Sequence, residues 1–221
     1  MGTRGCLGFG VDEKEYITYN HWDSYPSGVG VNVLNWLRVN KDDLEPFIEA
    51  ARNLIVIDRD DRKPTAEEKE KLRTYSNLDV SEQSEDDWYC LLKETHGNPG
   101  AILESGFLVD SSDFPYDSLF CEWGYLIDFN NNRLEVYKGF QGSPHNEGRF
   151  ADMSRVYDPD YTTDKYYPVK LVATFDFDDL PTEDDFIDKL EGYKCNDCGY
   201  RNTEVPNPRG LCEDCREKVS A

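Results

Sequence analysis

Four cysteines near the C-terminus constrain this chain more than any other feature. They read Cys195-Asn-Asp-Cys198-Gly199 and Cys212-Glu-Asp-Cys215, two C-x2-C pairs with thirteen residues between them. Two thiolates that are two residues apart grip one cation from a tight knuckle turn. Two such pairs complete a closed tetrahedral shell, which marks a structural site rather than a catalytic one. The pattern predicts a four-cysteine zinc ribbon over residues 191–221, with one structural Zn²⁺ on Cys195, Cys198, Cys212 and Cys215. Gly199 lets the backbone curl past the second ligand. Pro206, Asn207, Pro208 and Gly210 let the intervening segment loop back. Two other uses of paired cysteines compete. Disulfides belong to oxidising compartments. Redox-active C-x-x-C motifs sit in a βαβ setting, which the flanking sequence does not offer.

The remaining residues, 1–190, are long enough for one α+β domain. Aromatics are plentiful, with 14 Tyr, 11 Phe and 4 Trp, and each ring buries a large area in a core. No apolar run approaches the ~18 residues that span a bilayer. The start, Met-Gly-Thr-Arg-Gly-Cys, lacks the apolar stretch of a secretory signal. It also has Cys6 where a myristoylation motif wants Ser or Thr. The expectation is a soluble, cytoplasmic protein with no membrane association.

The formal charge is −21. Residues 193–221 hold five basic side chains (Lys194, Arg201, Arg209, Arg216, Lys218) and five acidic ones (Asp197, Glu204, Glu213, Asp214, Glu217). That segment is neutral, so the whole excess falls on residues 1–192. Such a body repels phosphate backbones and anionic membranes, which argues against nucleic-acid binding by the main domain. The excess serves solubility, or it docks a basic protein partner or mimics nucleic acid.

Along the chain, β-rich runs at residues 5–11 and 15–22 predict a hairpin across Asp12-Glu13-Lys14. A helix is expected over 31–39, with Val31, Leu34 and Leu37 on one face. A second begins near Asp42-Asp43 and runs through Leu44, Phe47, Ile48, Ala51 and Leu54. A third follows the capping box Thr65…Glu68. A fourth spans about 84–95, carries Trp88, Leu91 and Leu92 inward, and ends at His96-Gly97-Asn98-Pro99-Gly100. Strands return at 119–129 and 133–140, a hairpin across Asn130-Asn131-Asn132. A polar loop over 141–165 leads to a strand at 167–177, and Thr182 caps a short helix over 183–190. Strands, then helices, then strands predict an antiparallel sheet built from the N-terminal and later hairpins, with helices packed on it.

Weaker constellations lie near the start. Tyr19-Asn20-His21-Trp22-Asp23-Ser24-Tyr25-Pro26 gathers polar and aromatic groups at a strand end, where functional residues concentrate. His21 and Asp23 are two apart and can share a face, as an acid/base and its orienting carboxylate. The same residue types also satisfy turn backbone. Cys6 is a candidate nucleophile if the hairpin brings it beside His21, and otherwise a small buried hydrophobe, as are Cys90 and Cys121. Asp128-Phe-Asn130-Asn-Asn132 imitates the opening of an EF-hand loop. It has Arg133 where that loop needs Gly and Gly139 where it needs Glu. No P-loop, Rossmann glycine pattern or G-x-S-x-G elbow occurs.

Three segments carry a family resemblance: Met1-Gly-Thr-Arg-Gly5, Tyr19-Asn-His-Trp-Asp-Ser-Tyr-Pro-Ser-Gly28 and Cys121-Glu-Trp-Gly-Tyr-Leu-Ile-Asp128. Together they resemble a family of uncharacterised proteins from bacteriophages, bacteria and fungi that begin Met-Gly-Thr-Arg-Gly. The resemblance covers roughly residues 1–140 and leaves out the ribbon. It implies that whatever the family shares resides in the N-terminal motifs. It supplies no activity.

These observations lead to a non-enzymatic accessory factor, of the phage type that interacts with a host, binding a protein partner or ligand. One alternative is a hydrolase or transferase. A hairpin near the N-terminus followed by helices and further hairpins is similar to N-terminal-nucleophile amidohydrolases, whose free α-amine acts as base. Its candidate residues are Thr3, Arg4, Cys6, His21 and Asp23. Loss of Met1 exposes Gly2, so use of Thr3 or Cys6 requires further cleavage. Another alternative is nucleic-acid binding through the ribbon.

Overall fold

The computed structural model describes residues 2–59, 61–155, 165–196, 198–202, 212 and 215. The chain divides into two compact units, Met1–Leu180 and Pro181–Ala221.

The first unit is an α+β body. Strands β1 (Gly5–Val11) and β2 (Lys14–Asn20) form the expected hairpin, in register from Gly5↔Asn20 to Val11↔Lys14. The turn is two residues long. Asp12 adopts φ 52°, a left-handed conformation that aspartate tolerates better than most residues. Helix α1 (Val31–Asn40) buries Val33, Leu34 and Leu37, and α2 (Glu45–Arg52) follows. Strand β3 (Ile55–Ile57) comes next, then α3 (Ala66–Leu72). Thr65 caps α3 as expected. Its hydroxyl accepts from the Glu68 amide, and the Glu68 carboxylate accepts from the Thr65 amide.

The fourth helix is shorter than its apolar spacing suggests. Only α4 (Trp88–Leu91) is α-helical, followed by a 3₁₀ turn at Lys93–Thr95. Before it, the Ser84 hydroxyl takes the Asp86 amide and the Asp87 carboxylate takes the Tyr89 amide. These side chains offer the backbone a turn in place of a longer helix. Helix α5 (Pro99–Ser105) and strand β4 (Phe107–Val109) then form where the sequence reads as a helix end. Strands β3 and β4 pair in parallel over a second core of Ile57, Leu72, Trp88, Leu91, Leu92 and Phe107.

Strands β5 (Trp123–Asp128), β6 (Arg133–Lys138) and β7 (Lys170–Asp176) complete the main sheet, in the order β2-β1-β5-β6-β7. Three of its four junctions are antiparallel, and β1 pairs with β5 in parallel. A parallel pair needs a crossover connection. Here β2, all five helices described so far and the small sheet lie between the two strands. Every residue of β1 is buried, as befits a central strand covered on both faces. The Asp128-to-Asn132 stretch is a hairpin turn, with Asp128 Oδ1 accepting the Asn130 and Asn131 amides.

One arginine spans this sheet. Arg149 donates to Glu15 on β2 (2.7 Å), Asp128 on β5 (2.7 Å) and both carboxylate oxygens of Glu135 on β6 (2.8 Å each). Asp128 and Glu135 are almost wholly buried. Arg133 also donates to Glu135, as does the Tyr137 hydroxyl at 2.5 Å. Each buried carboxylate is therefore charge-paired and hydrogen-bonded, the condition for its burial.

The second unit contains α6 (Glu183–Glu191), capped by Thr182, and the two-stranded hairpin β8 (Tyr193–Lys194) and β9 (Arg201–Asn202). Arg201 binds Asp188 (2.7 Å) and the Gly192 carbonyl (2.6 Å), tying the hairpin to α6. No described helix is long and apolar enough to cross a membrane.

Candidate metal centre and an aromatic cleft

The β8–β9 hairpin presents the first cysteine pair. The Cys195 amide donates to the Tyr200 carbonyl (2.7 Å), and the Gly199 amide donates to the Cys195 carbonyl (2.9 Å). This knuckle turns at Gly199, which takes φ 73°, a conformation glycine adopts without strain. The second pair comes back onto it. The Cys212 amide donates to the Cys195 sulfur at 3.3 Å, and the Cys198 and Cys212 sulfurs lie 3.7 Å apart. The sulfurs of Cys195, Cys198, Cys212 and Cys215 all lie within 4.8 Å of one another, a group able to hold one metal ion. Cys195 and Cys215 are buried, Cys212 is half-buried and Cys198 is exposed. The expected return loop at Pro206, Asn207, Pro208 and Gly210 lies outside the described residues.

The N-terminal candidates divide among three environments. Cys6 is buried, with its sulfur 3.7 Å from that of Cys121, in a core with Ile17, Leu126, Tyr137 and Phe150. Burial pushes the Cys121 thiol well above its ordinary pKa, and the neighbouring Cys6 adds to this. Thr3 accepts the Ser24 amide at its carbonyl (3.0 Å). Asp23 is exposed at φ 52°, and its carbonyl accepts the Val29 amide. Thr3 and Asp23 thus serve turn backbone. Arg4 and His21 lie elsewhere, within electrostatic reach of Tyr19. The Arg4 guanidinium rests 4.4 Å from the Phe120 ring centre.

The three segments that carry the family resemblance meet at one junction. Asn20 and Ser24 are buried, and the Asn20 amide nitrogen donates to the Ser24 hydroxyl (2.7 Å) and the Trp22 carbonyl. The Tyr125 hydroxyl donates to the Ser24 carbonyl (2.9 Å). The Glu122 amide donates to the Arg4 carbonyl, and the Arg4 amide to the Glu122 carboxylate. Gly5 sits inside this knot. A Cβ there would stand 2.2 Å from the Trp123 carbonyl oxygen and 2.6 Å from the Ser24 Cβ.

Beside the junction, four rings alternate in type. Tyr19 and Tyr89 each meet both His21 and His96 edge-on, at centroid distances from 5.1 to 6.5 Å. The Tyr19 hydroxyl also bonds His21 Nδ1 at 2.7 Å. Burial, then the charge of Lys93 and the neighbouring His21, pull the His96 imidazole down to about 3. Burial, then Lys93 and Arg4, lower His21. Both imidazoles are therefore held toward the neutral form. Burial raises both tyrosine hydroxyls.

Tyr19, Tyr89 and His96 also line a cleft of about 280 Å³, together with Arg59, Ser111 and Phe114. Sequence reasoning singled out His21 and missed Tyr89, Arg59 and His96. The available signal is compositional: the chain has three histidines, and two of them meet here. No protein-family model, curated protein or solved structure matches this chain.

Proposed function

We propose that this protein is a zinc-stabilised binding protein. One Zn²⁺ organises its C-terminal unit, and its acidic body engages a partner or ligand without covalent chemistry. The convergence of four sulfurs carries the reading. Zn–S bonds of about 2.3 Å set the corners of a tetrahedron about 3.8 Å apart, and the Cys198–Cys212 separation is 3.7 Å. The amide of Cys212 against the Cys195 sulfur is a second-sphere bond of the kind that orients a metal thiolate.

Two further observations support the non-enzymatic part. Cys6 is buried against another thiol inside an apolar core, out of reach of a substrate. Asp23 is exposed, and the bond it makes in the turn is through its backbone carbonyl. Four cysteines gathered as one metal-ligand group rather than paired in disulfides support a reducing, intracellular setting. The −21 charge supports a basic protein as the partner, because complementary potential steers association. The meeting of the three resemblance motifs at one junction supports a fold shared with the Met-Gly-Thr-Arg-Gly proteins over residues 1–140.

The test is metal content. Chain purified under reducing conditions releases one zinc per molecule to a colorimetric chelator, and the variant C198S/C212S releases none. Zinc-free native protein, or full zinc retention by the double variant, overturns the reading.

A further inference from the structure

The cleft beside β2 combines three properties that the metal centre does not explain. Its walls are aromatic: Tyr19, Tyr89 and Phe114. One of its lining residues, His96, has a buried Nδ1 with no hydrogen-bond partner. And it is flanked by cations in a chain of strongly negative charge. Arg59 lies 5.8 Å from the Tyr89 ring centre, and Lys93 lies 5.3 Å from the same centre.

We propose that this cleft is a binding site for a small aromatic carboxylate, with its ring against Tyr19, Tyr89 and Phe114 and its carboxylate on Arg59. The inference stands apart from the metal reading and does not depend on it. Size sets the first limit. A volume of about 280 Å³ equals roughly nine water volumes, the space of one ring with a short arm. Shape sets the second. Edge-on and offset rings receive a planar ligand through their quadrupoles, beyond simple area burial.

Charge selects the anion. Arg59 gives one nitrogen, Nη2, to Asp87 (3.0 Å). A guanidinium carries five N–H donors, so donors remain for a carboxylate. Burial lowers the pKa of the Lys93 ammonium, and the charge of a nearby anion would oppose that shift. The acid in the lining, Asp110, is taken up by the Ser112 amide (3.1 Å) and hydroxyl (3.2 Å). His96 lines the cleft as an imidazole held toward the neutral form, so it adds no competing positive charge.

The probe is 4-hydroxyphenylacetate, compared with its neutral isostere 4-hydroxyphenylacetamide, titrated calorimetrically into the full chain. The acid binds, and the amide binds at least tenfold more weakly. Ser111→Phe fills the half-buried rim of the cleft and abolishes binding of both. Arg59→Gln removes the preference for the acid. Because Arg59 also neutralises Asp87, this variant is compared by circular dichroism with the parent. If it fails to fold, Ser111→Phe, which leaves that ion pair intact, decides alone. Equal affinity for acid and amide, no binding of either, or undiminished binding by Ser111→Phe overturns the proposal.

Discussion

Replacing Arg149 with methionine removes one of the two cations, the other being Arg133, that the two buried carboxylates of the sheet share. Glu135 keeps Arg133 and the Tyr137 hydroxyl, and Asp128 keeps Asn131, two turn amides and Arg133 at 3.5 Å. Three charge-assisted bonds to these buried acids vanish, with a fourth to half-exposed Glu15. Breaking one side of a buried pair costs about 3–5 kcal/mol. The partners that remain place R149M near the lower end, at about 3 kcal/mol. For a domain of this size each kcal/mol shifts Tm by about 2–4 °C, so the melt falls by roughly 6–12 °C. The loss also has a pH signature. Burial pushes the Glu135 carboxyl up, but hydrogen bonds from Arg149 and Tyr137 and the charge of Arg149 bring it below its ordinary value on balance. A carboxyl lowered in the folded state stabilises above its unfolded pKa and loses that stabilisation as pH falls through the folded value. Without Arg149 burial dominates, so Glu135 rises and its penalty is relieved on protonation. Urea denaturation followed by circular dichroism should therefore show the gap between R149M and parent narrowing as pH falls from 7 to 4. Adding E135Q to R149M should recover part of the loss at pH 7, since Arg133 then balances one buried carboxylate, Asp128, rather than two. A deficit under about 1 kcal/mol at pH 7, or one that widens in acid, refutes this account.

Three other outcomes follow from the geometry. Gly5→Ala places a methyl 2.2 Å from the Trp123 carbonyl oxygen and costs about 2–3 kcal/mol through overpacking, read from the same denaturation curves. Cys6 and Cys121, buried against each other, resist maleimide labelling in native buffer over hours and label fully in urea; rapid native labelling of either would refute their packing. Stripping metal with a strong chelator loosens the Pro181–Ala221 unit and leaves the core of Met1–Leu180 protected, because the two are separate compact units. Hydrogen exchange resolves the difference, and uniform deprotection of both units would contradict it.

Much of this fold is legible because its signals are local. The N-terminal hairpin shows in its β-rich runs, α3 in the pair Thr65 and Glu68, α6 in Thr182, and the metal group in cysteine spacing alone. The parallel pairing of β1 with β5 is long-range and leaves no local mark. Its one sign is that Gly5-Cys-Leu-Gly-Phe-Gly-Val11 contains no charged residue, as a strand covered on both faces requires. Helix α5 carries its own punctuation. Asn98 caps it, Pro99 occupies its first turn and Gly106 ends it at φ 74°. The same Asn-Pro-Gly letters also read as a stop, and position alone does not tell a start from an end. The cleft is the least legible feature. Its walls come from β2, Arg59, the α4 region and the segment after β4, and no spacing rule joins them before the chain folds.

The motif residues and the cleft divide their work in a way the sequence conceals. Gly5, Asn20, Ser24 and Tyr125 lock β1, the loop after β2 and β5 together by close approach and buried hydrogen bonds. None of the four lines the cleft. Tyr19 and His21, however, flank Asn20 in the chain and join Tyr89 and His96 in the alternating rings. A junction that fixes Asn20 therefore fixes the direction of Tyr19, one wall of the cleft, and the bond from its hydroxyl to His21. Asn20→Ala should thus act at two levels. It leaves the Ser24 hydroxyl without its Asn20 partner and costs about 1–3 kcal/mol. It also weakens 4-hydroxyphenylacetate binding, although Asn20 touches no ligand. Asn20→Asp keeps the shape and an acceptor but loses the donor, so it should show the same pattern. Lost stability with unchanged ligand affinity would mean that Tyr19 is positioned by its contacts with Phe114 and His96 alone, and that the motif and the cleft are independent.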